Sequence, residues 1–275
     1  MDARKIRAAV FDIDGTLALM DKDKGTYEAL PGAIAALDAC RARGIIAVAY
    51  TNGTFFPPAH YYPLLADAGL VLAPGHILTP AVVAAQQLKR LGHGRVMVTG
   101  SEGTVVPLVE AGIEVVGAGP GAGEVDAVLL AWAREFGLPE LDAAAQAVWA
   151  GAPVYATSVA PFFAGAGGKR LLGVSGAMAA AIRNATGVEA QVFGKPSVAG
   201  LEIIAELTGV AAAETAVIGD DPKLEIRMAR RAGALAIGVT TGVSDRAAFE
   251  AFAEDERAEL VVDRLDGLLD HPVFA

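Results

Sequence analysis

Phe11-Asp12-Ile13-Asp14-Gly15-Thr16-Leu17 follows the short apolar run Ala8-Ala9-Val10, which reads as a buried strand. Residues two apart in an extended chain lie on the same side, so Asp12 and Asp14 face one pocket and Ile13 turns into the core. Gly15 lets the chain leave the strand sharply, and the Thr16 hydroxyl is expected to bond the local backbone. Two like charges this close repel unless a cation sits between them or one is protonated. A hard divalent ion such as Mg²⁺ resolves that cost. A D-x-D-G string also occurs in calcium loops and in plain strand-to-turn junctions. An EF-hand needs further oxygen ligands and a Glu near the loop end, which Ala18 to Met20 do not supply.

At 275 residues the chain has room for one large domain or two smaller ones, and length leans to two. A hydrophobic fraction of 53% is ample for a core, and 20% charged residues give no sign of disorder. No apolar run approaches the roughly 18 residues a membrane span needs, and no apolar signal segment precedes the first strand, so neither a membrane nor a secretory route is expected. A formal net charge of -10 argues against nucleic-acid binding and means that an anionic substrate needs a local positive site. The single cysteine, Cys40, excludes an internal disulfide and reads as a small core residue beside Ile34 and Leu37. A cytoplasmic location fits.

Outward from the opening motif, Asp21 to Tyr27 reads as a polar loop. Pro31-Gly32 starts a helix, Gly44 ends it, and Ile45 to Tyr50 forms a second strand closing on Thr51-Asn52-Gly53. Strand, helix and strand at this spacing make a parallel βαβ unit, which binds ligands beyond the carboxyl ends of its strands. Asp12 and Thr51 both fall there. Thr51-Asn52-Gly53 offers a hydroxyl, an amide and backbone N–H groups suited to a phosphate oxygen, though Asn-Gly is also a common turn pair. A change of domain is expected around 73–80, followed by a fresh αβ series with two glycine-rich loops, Gly117 to Gly123 and Gly165 to Gly168. The second is flanked by Phe162, Phe163, Lys169 and Arg170. Further on, Lys195 stands between Gly194 and Pro196, just before a helix whose start favours an anion. The apolar run Ala216 to Ile218 ends on Gly219-Asp220-Asp221, with Pro222 opening a helix and Glu225 in its first turn. Thr240-Thr241-Gly242 and the four histidines (His60, His76, His93, His271) form no recognisable ligand cluster.

Four stretches thus stand in order at strand ends or helix starts: Phe11–Leu17, Tyr50–Thr54, Phe193–Ser197 and Ile218–Ile226. Together they resemble the four motifs of the haloacid dehalogenase (HAD) superfamily. The insert between the second and third resembles the C2 cap of the class IIA branch, the NagD-like and p-nitrophenyl phosphatase-like enzymes. Leu30-Pro31-Gly32-Ala33 and Val174-Ser175-Gly176-Ala177 fit that branch too. The resemblance implies an α/β fold, a Rossmann-like parallel-sheet core of residues 1–78 and 187–275, and an inserted αβ cap of residues 79–186.

It further implies an Mg²⁺-dependent phosphatase acting on a small-molecule phosphate ester. Asp12 would be the nucleophile, forming an aspartyl-phosphate. Asp14 would protonate the leaving oxygen and then activate water, so its pKa should be raised by burial or by its neighbours. Thr51, Asn52 and Gly53 would bind the phosphoryl group and Lys195 would balance its charge. Asp12, the Asp14 carbonyl and Asp220 would hold the metal, with Asp221 or Glu225 supporting it through water. A homodimer through the cap is possible on this resemblance. A phosphomutase, or a non-catalytic phospho-ligand-binding protein, on the same scaffold is the alternative. The chain departs from the family pattern at Glu225, where Asp is usual, and at Ala156-Thr157-Ser158-Val159-Ala160, where an Asn-x-Asp often stands in the cap. That second departure implies a less polar leaving group, with Phe162 and Phe163 as contacts.

Overall fold

The computed structural model describes residues 5–21, 24–165, 169–269 and 271, with the main chain only at 163–165 and 169. The chain forms two compact units. The first joins Met1–Thr51, His60–Leu78 and Gly200–Ala275; the second joins Asn52–Ala59 and Thr79–Ala199.

The first unit is built on a six-stranded parallel sheet. Across the sheet the strands run Leu260–Val262, Leu235–Val239, Thr215–Gly219, Ala8–Phe11, Ile46–Tyr50 and Ile77–Leu78. The strands Ala8–Phe11, Thr215–Gly219 and Leu235–Val239 are buried at every position, as parallel strands covered on both faces should be. The chain lays down strands outward from Ala8–Phe11 on one side. It then returns to build Thr215–Gly219 and its successors on the other. The order therefore reverses between Ala8–Phe11 and Thr215–Gly219, which pair with Phe11 opposite Ile218. Ligand crevices of open α/β sheets open at such a reversal.

The second unit repeats the plan with a five-stranded parallel sheet in the order Gln191–Val192, Val154–Ala156, Ala127–Leu130, Arg95–Thr99 and Glu114–Gly117. Its core gathers Met97, Val128, Leu130, Val154, Met178 and Ile182, all buried. Here the order reverses between Arg95–Thr99 and Ala127–Leu130.

Two antiparallel hairpins correct the reading from sequence. Asp21 to Tyr27 is not a plain polar loop: Ala18–Asp21 pairs with Thr26–Ala29. The four-residue strands show an in–out alternation too short to read, with Ala18 and Tyr27 buried and Leu19 and Glu28 exposed. Next to the first strand's end, the Lys24 N–H donates to Asp21 Oδ1 at 3.2 Å. Phe162–Gly165 likewise pairs with Lys169–Leu172. The middle of the glycine-rich loop there, 166–168, lies outside the described residues, as do the side chains of Phe163 and Lys169. Two short edge strands, Ile77–Leu78 and Gln191–Val192, also carry no pattern of their own. The expected helix at Pro222 begins as a π-helical turn, Pro222–Ile226, before the α-helix Arg227–Ala232. Such wide turns often mark functional sites. Cys40 is fully buried, as expected, and burial raises its thiol to about 11.

Candidate active site

Asp12 and Asp220 leave the two strands that flank the reversal in the first sheet. The Asp12 N–H extends the ladder by donating to Ile218 O at 2.9 Å. Both carboxylates are buried, Asp12 at 7% and Asp220 at 3% relative exposure. The loop that follows Asp12 closes on Ile13 O, which accepts from the N–H groups of Thr16, Leu17 and Ala18 at 3.3, 3.0 and 2.9 Å. Asp14 lies in this loop and is exposed, not buried. The Thr16 hydroxyl, expected to bond the backbone, is fully buried and finds no partner among the described residues.

Asp220 is held by residues that the sequence reading set aside. Its Oδ2 accepts from the Val243 N–H at 2.7 Å. The Thr241 hydroxyl donates to Gly15 O at 2.7 Å, tying the Thr241–Val243 loop to the opening motif. A Cβ on Gly242, or on Gly15 with its φ of 94°, would overlap the Asp220 carboxylate. Two glycines thus form a cradle that admits this side chain. Glu225 is buried and its Oε2 accepts from the Asp221 N–H at 3.1 Å, while Asp221 Oδ1 caps Lys223 N at 2.7 Å. Gly219 admits Glu225, since a Cβ there would overlap its side chain. Thr51 is buried, and its N–H donates to Leu78 O at 3.3 Å.

Two tyrosines missed by the sequence reading lie within electrostatic reach of Asp14. Tyr27 and Tyr61 are both buried. Burial, and after it the Asp14 carboxylate, holds each phenol protonated far above its usual range. Nothing in a hydrophobic pattern separates them from ordinary core aromatics.

The donor set suits a hard cation. Among the described residues no three His, Cys, Asp or Glu side chains converge as metal ligands. The buried carboxylates of Asp12 and Asp220 are hard oxygen donors, of the kind Mg²⁺ takes together with several waters, and not the nitrogen and sulfur donors of a typical zinc site. The glycine cradle fixes one of those carboxylates before any metal arrives.

In the second unit, Asn52 and Lys195 stand together, just past the Phe193 N–H, which donates to Ala156 O at the carboxyl end of Val154–Ala156. The Asn52 Nδ2 donates to Lys195 O at 3.1 Å, and Lys195 N donates to Asn52 Oδ1 at 3.0 Å. Lys195 is only 2% exposed. The crevice at the reversal of this second sheet is filled by the chain itself. The Ser101 hydroxyl donates to Thr54 O and Phe55 O at 3.2 and 3.1 Å, and the Phe55 ring meets Trp132 at 4.4 Å. Gly103 lets this segment approach, since a Cβ there would overlap Thr54 O.

Comparison with known proteins agrees with this architecture. Residues 9–114 match the family model described as haloacid dehalogenase-like hydrolase, and residues 192–268 match a second, HAD-hydrolase-like model. Chronophin of Bos taurus is 31% identical over 213 residues, 70% of this chain and 72% of that protein. Dihydroxyacetone phosphatase of Corynebacterium glutamicum is 28% identical over 221 residues, 80% of this chain and 78% of that protein. The crystal structure of a glycerol phosphate phosphatase from Mycobacterium tuberculosis in complex with magnesium superposes with a TM-score of 0.84 at 26% identity, covering 97% of this chain and 77% of that one. The chain belongs to the haloacid dehalogenase-like hydrolase family. Its curated relatives within that family are named phosphatases, and it shares the fold of NagD from Escherichia coli, with a TM-score of 0.83 at 24% identity.

One consequence of the cradle is testable by itself. Gly242→Ala would push the Asp220 carboxylate from its place while leaving both buried acids, Asp12 and Asp220, in the chain. Residues that orient ligands typically carry about 10- to 100-fold in metal affinity. We expect a loss of that size in Mg²⁺ affinity, read by calorimetric titration of the purified variant. An unchanged affinity would show that the Asp220 position does not depend on the cradle.

Proposed function

We propose that this chain is an Mg²⁺-dependent phosphatase that hydrolyses a small-molecule phosphomonoester through an aspartyl-phosphate on Asp12. The observation that carries the reading is the pair of buried carboxylates, Asp12 and Asp220, at the two strand ends flanking the reversal in the first sheet. Asp12, the Asp14 carbonyl and Asp220 would hold the ion. When bound, Mg²⁺ supplies the positive charge that lets an anionic nucleophile meet an anionic ester.

A carboxylate oxygen of Asp12 attacks phosphorus, the phosphorus–ester oxygen bond breaks, and Asp14 gives its proton to the departing oxygen. Asp14, now a carboxylate, takes a proton from water as that water attacks the same phosphorus. The bond to Asp12 then breaks and inorganic phosphate forms. Thr51 by its hydroxyl, and Asn52 and Gly53 by their main-chain N–H groups, bind phosphoryl oxygens. Lys195 balances their charge. The second unit, which departs from the family pattern at Ser158, chooses the leaving group. There the Ser158 hydroxyl is turned back to accept from the Ala160 N–H at 3.1 Å, and Val159 and Phe162 are exposed apolar side chains. These features support an apolar leaving group.

A panel of phosphorylated metabolites and aryl phosphates, assayed for phosphate release with Mg²⁺ and after chelation, tests both levels. Release should vanish on chelation, return with Mg²⁺, and favour aryl over sugar esters. Release indifferent to chelation would overturn the metal-dependent mechanism, and a preference for sugar esters would overturn the apolar leaving group alone.

A further inference from the structure

We propose that the Asn52 side chain is a positioning residue that acts through Lys195, holding the lysine backbone in register rather than touching the substrate. The inference rests on the phosphoryl-balancing role proposed for Lys195 and goes beyond it. An Asn amide has one acceptor and one donor end. Here both ends are spent on one residue: Oδ1 accepts from Lys195 N at 3.0 Å and Nδ2 donates to Lys195 O at 3.1 Å. Both side chains are buried, Asn52 at 8% and Lys195 at 2% exposure. Paired bonds of this kind fix orientation as well as distance. Gly194 lets the clamp close, because a Cβ there would overlap Thr157 O and lie 2.9 Å from Asn52 Oδ1. The partners are 143 positions apart in sequence, so the clamp is tertiary and no local turn requires it. A residue beside the Thr51 hydroxyl in sequence thereby governs the residue that carries the charge. The interior is unforgiving here: main-chain groups of Lys195 left without partners would draw it toward others, and a misplacement of about 1 Å in a catalytic group can cost about 10²-fold.

The test is a double-mutant cycle on the whole chain with p-nitrophenyl phosphate and Mg²⁺, following kcat/KM and the thermal midpoint of each variant. Asn52→Ala should lower kcat/KM by about 10- to 100-fold, and Lys195→Ala by at least as much. The double variant should be no worse than Lys195→Ala alone, because the clamp has no other client. Asn52→Leu, which keeps the branched shape of Asn without its polar ends, repeats the cycle without leaving a cavity should Asn52→Ala fail to fold. Losses that multiply in the double variant would overturn the inference, since Asn52 would then act on the substrate directly. A variant that lowers the thermal midpoint at wild-type kcat/KM would overturn it too, leaving only a structural role. Wild-type activity in Lys195→Ala would instead remove the role of Lys195 itself, so the two failures are told apart.

Discussion

Asp12→Asn should reduce turnover of any phosphomonoester by about 10⁴-fold or more, the scale of loss when a covalent nucleophile is removed. The substitution keeps the shape of a side chain that is 7% exposed and directly follows the strand Ala8–Phe11, whose ladder uses only main-chain groups. The fold should therefore survive, and the loss be chemical. An amide oxygen is a far weaker nucleophile than a carboxylate, and Asn also withdraws one anionic donor from the cation. These two effects separate by trapping. With a radiolabelled ester and an acid quench, the wild type should retain label on protein that hydroxylamine releases, as an acyl phosphate requires. Asp12→Asn should retain none at any Mg²⁺ concentration. If high Mg²⁺ restored turnover to the variant, Asp12 would be a ligand only, and the nucleophile would have to be sought elsewhere.

The parts of the site that read plainly from sequence are those where an apolar run ends in acids. Ala8-Ala9-Val10 into Asp12 and Ala216–Ile218 into Asp220 each announce a buried strand with an acid just past its carboxyl end. What stayed hidden is where side chains go once distant segments meet. Thr241 lies 226 positions from the carbonyl it bonds at Gly15, and the Val243 N–H that holds Asp220 has no side-chain signature at all. Asn52 reads as a phosphate ligand or a turn residue because its neighbours are Thr51 and Gly53. Only the tertiary structure commits its amide to Lys195. The hairpin Ala18–Ala29 was obscured for a different reason. Its charged turn dominates the local composition, and four residues per strand are too few for alternation to outweigh it.

Asp14→Asn should cost about 10²- to 10⁴-fold in turnover of an alkyl phosphate, the usual range for a lost general acid or base. The size of the loss should depend on the ester, and that dependence identifies the role. An alkoxide leaves poorly without a proton, so the first step would stall and little acyl phosphate would form. A nitrophenolate leaves well unaided, so phosphorylation of Asp12 would proceed. The water step would then limit, because the residue that should take the proton from water is gone. Labelled protein should therefore accumulate with the aryl ester and not with the alkyl ester. Asp14 is suited to both duties because it is exposed to solvent in the loop closed on Ile13 O, while Asp12 is buried. Tyr27 and Tyr61, held as neutral phenols beside it, add no charge to compete. Near-wild-type turnover of the alkyl ester in Asp14→Asn would remove Asp14 from proton transfer. Equal losses on both esters without accumulation would reduce it to a carbonyl donor for the metal.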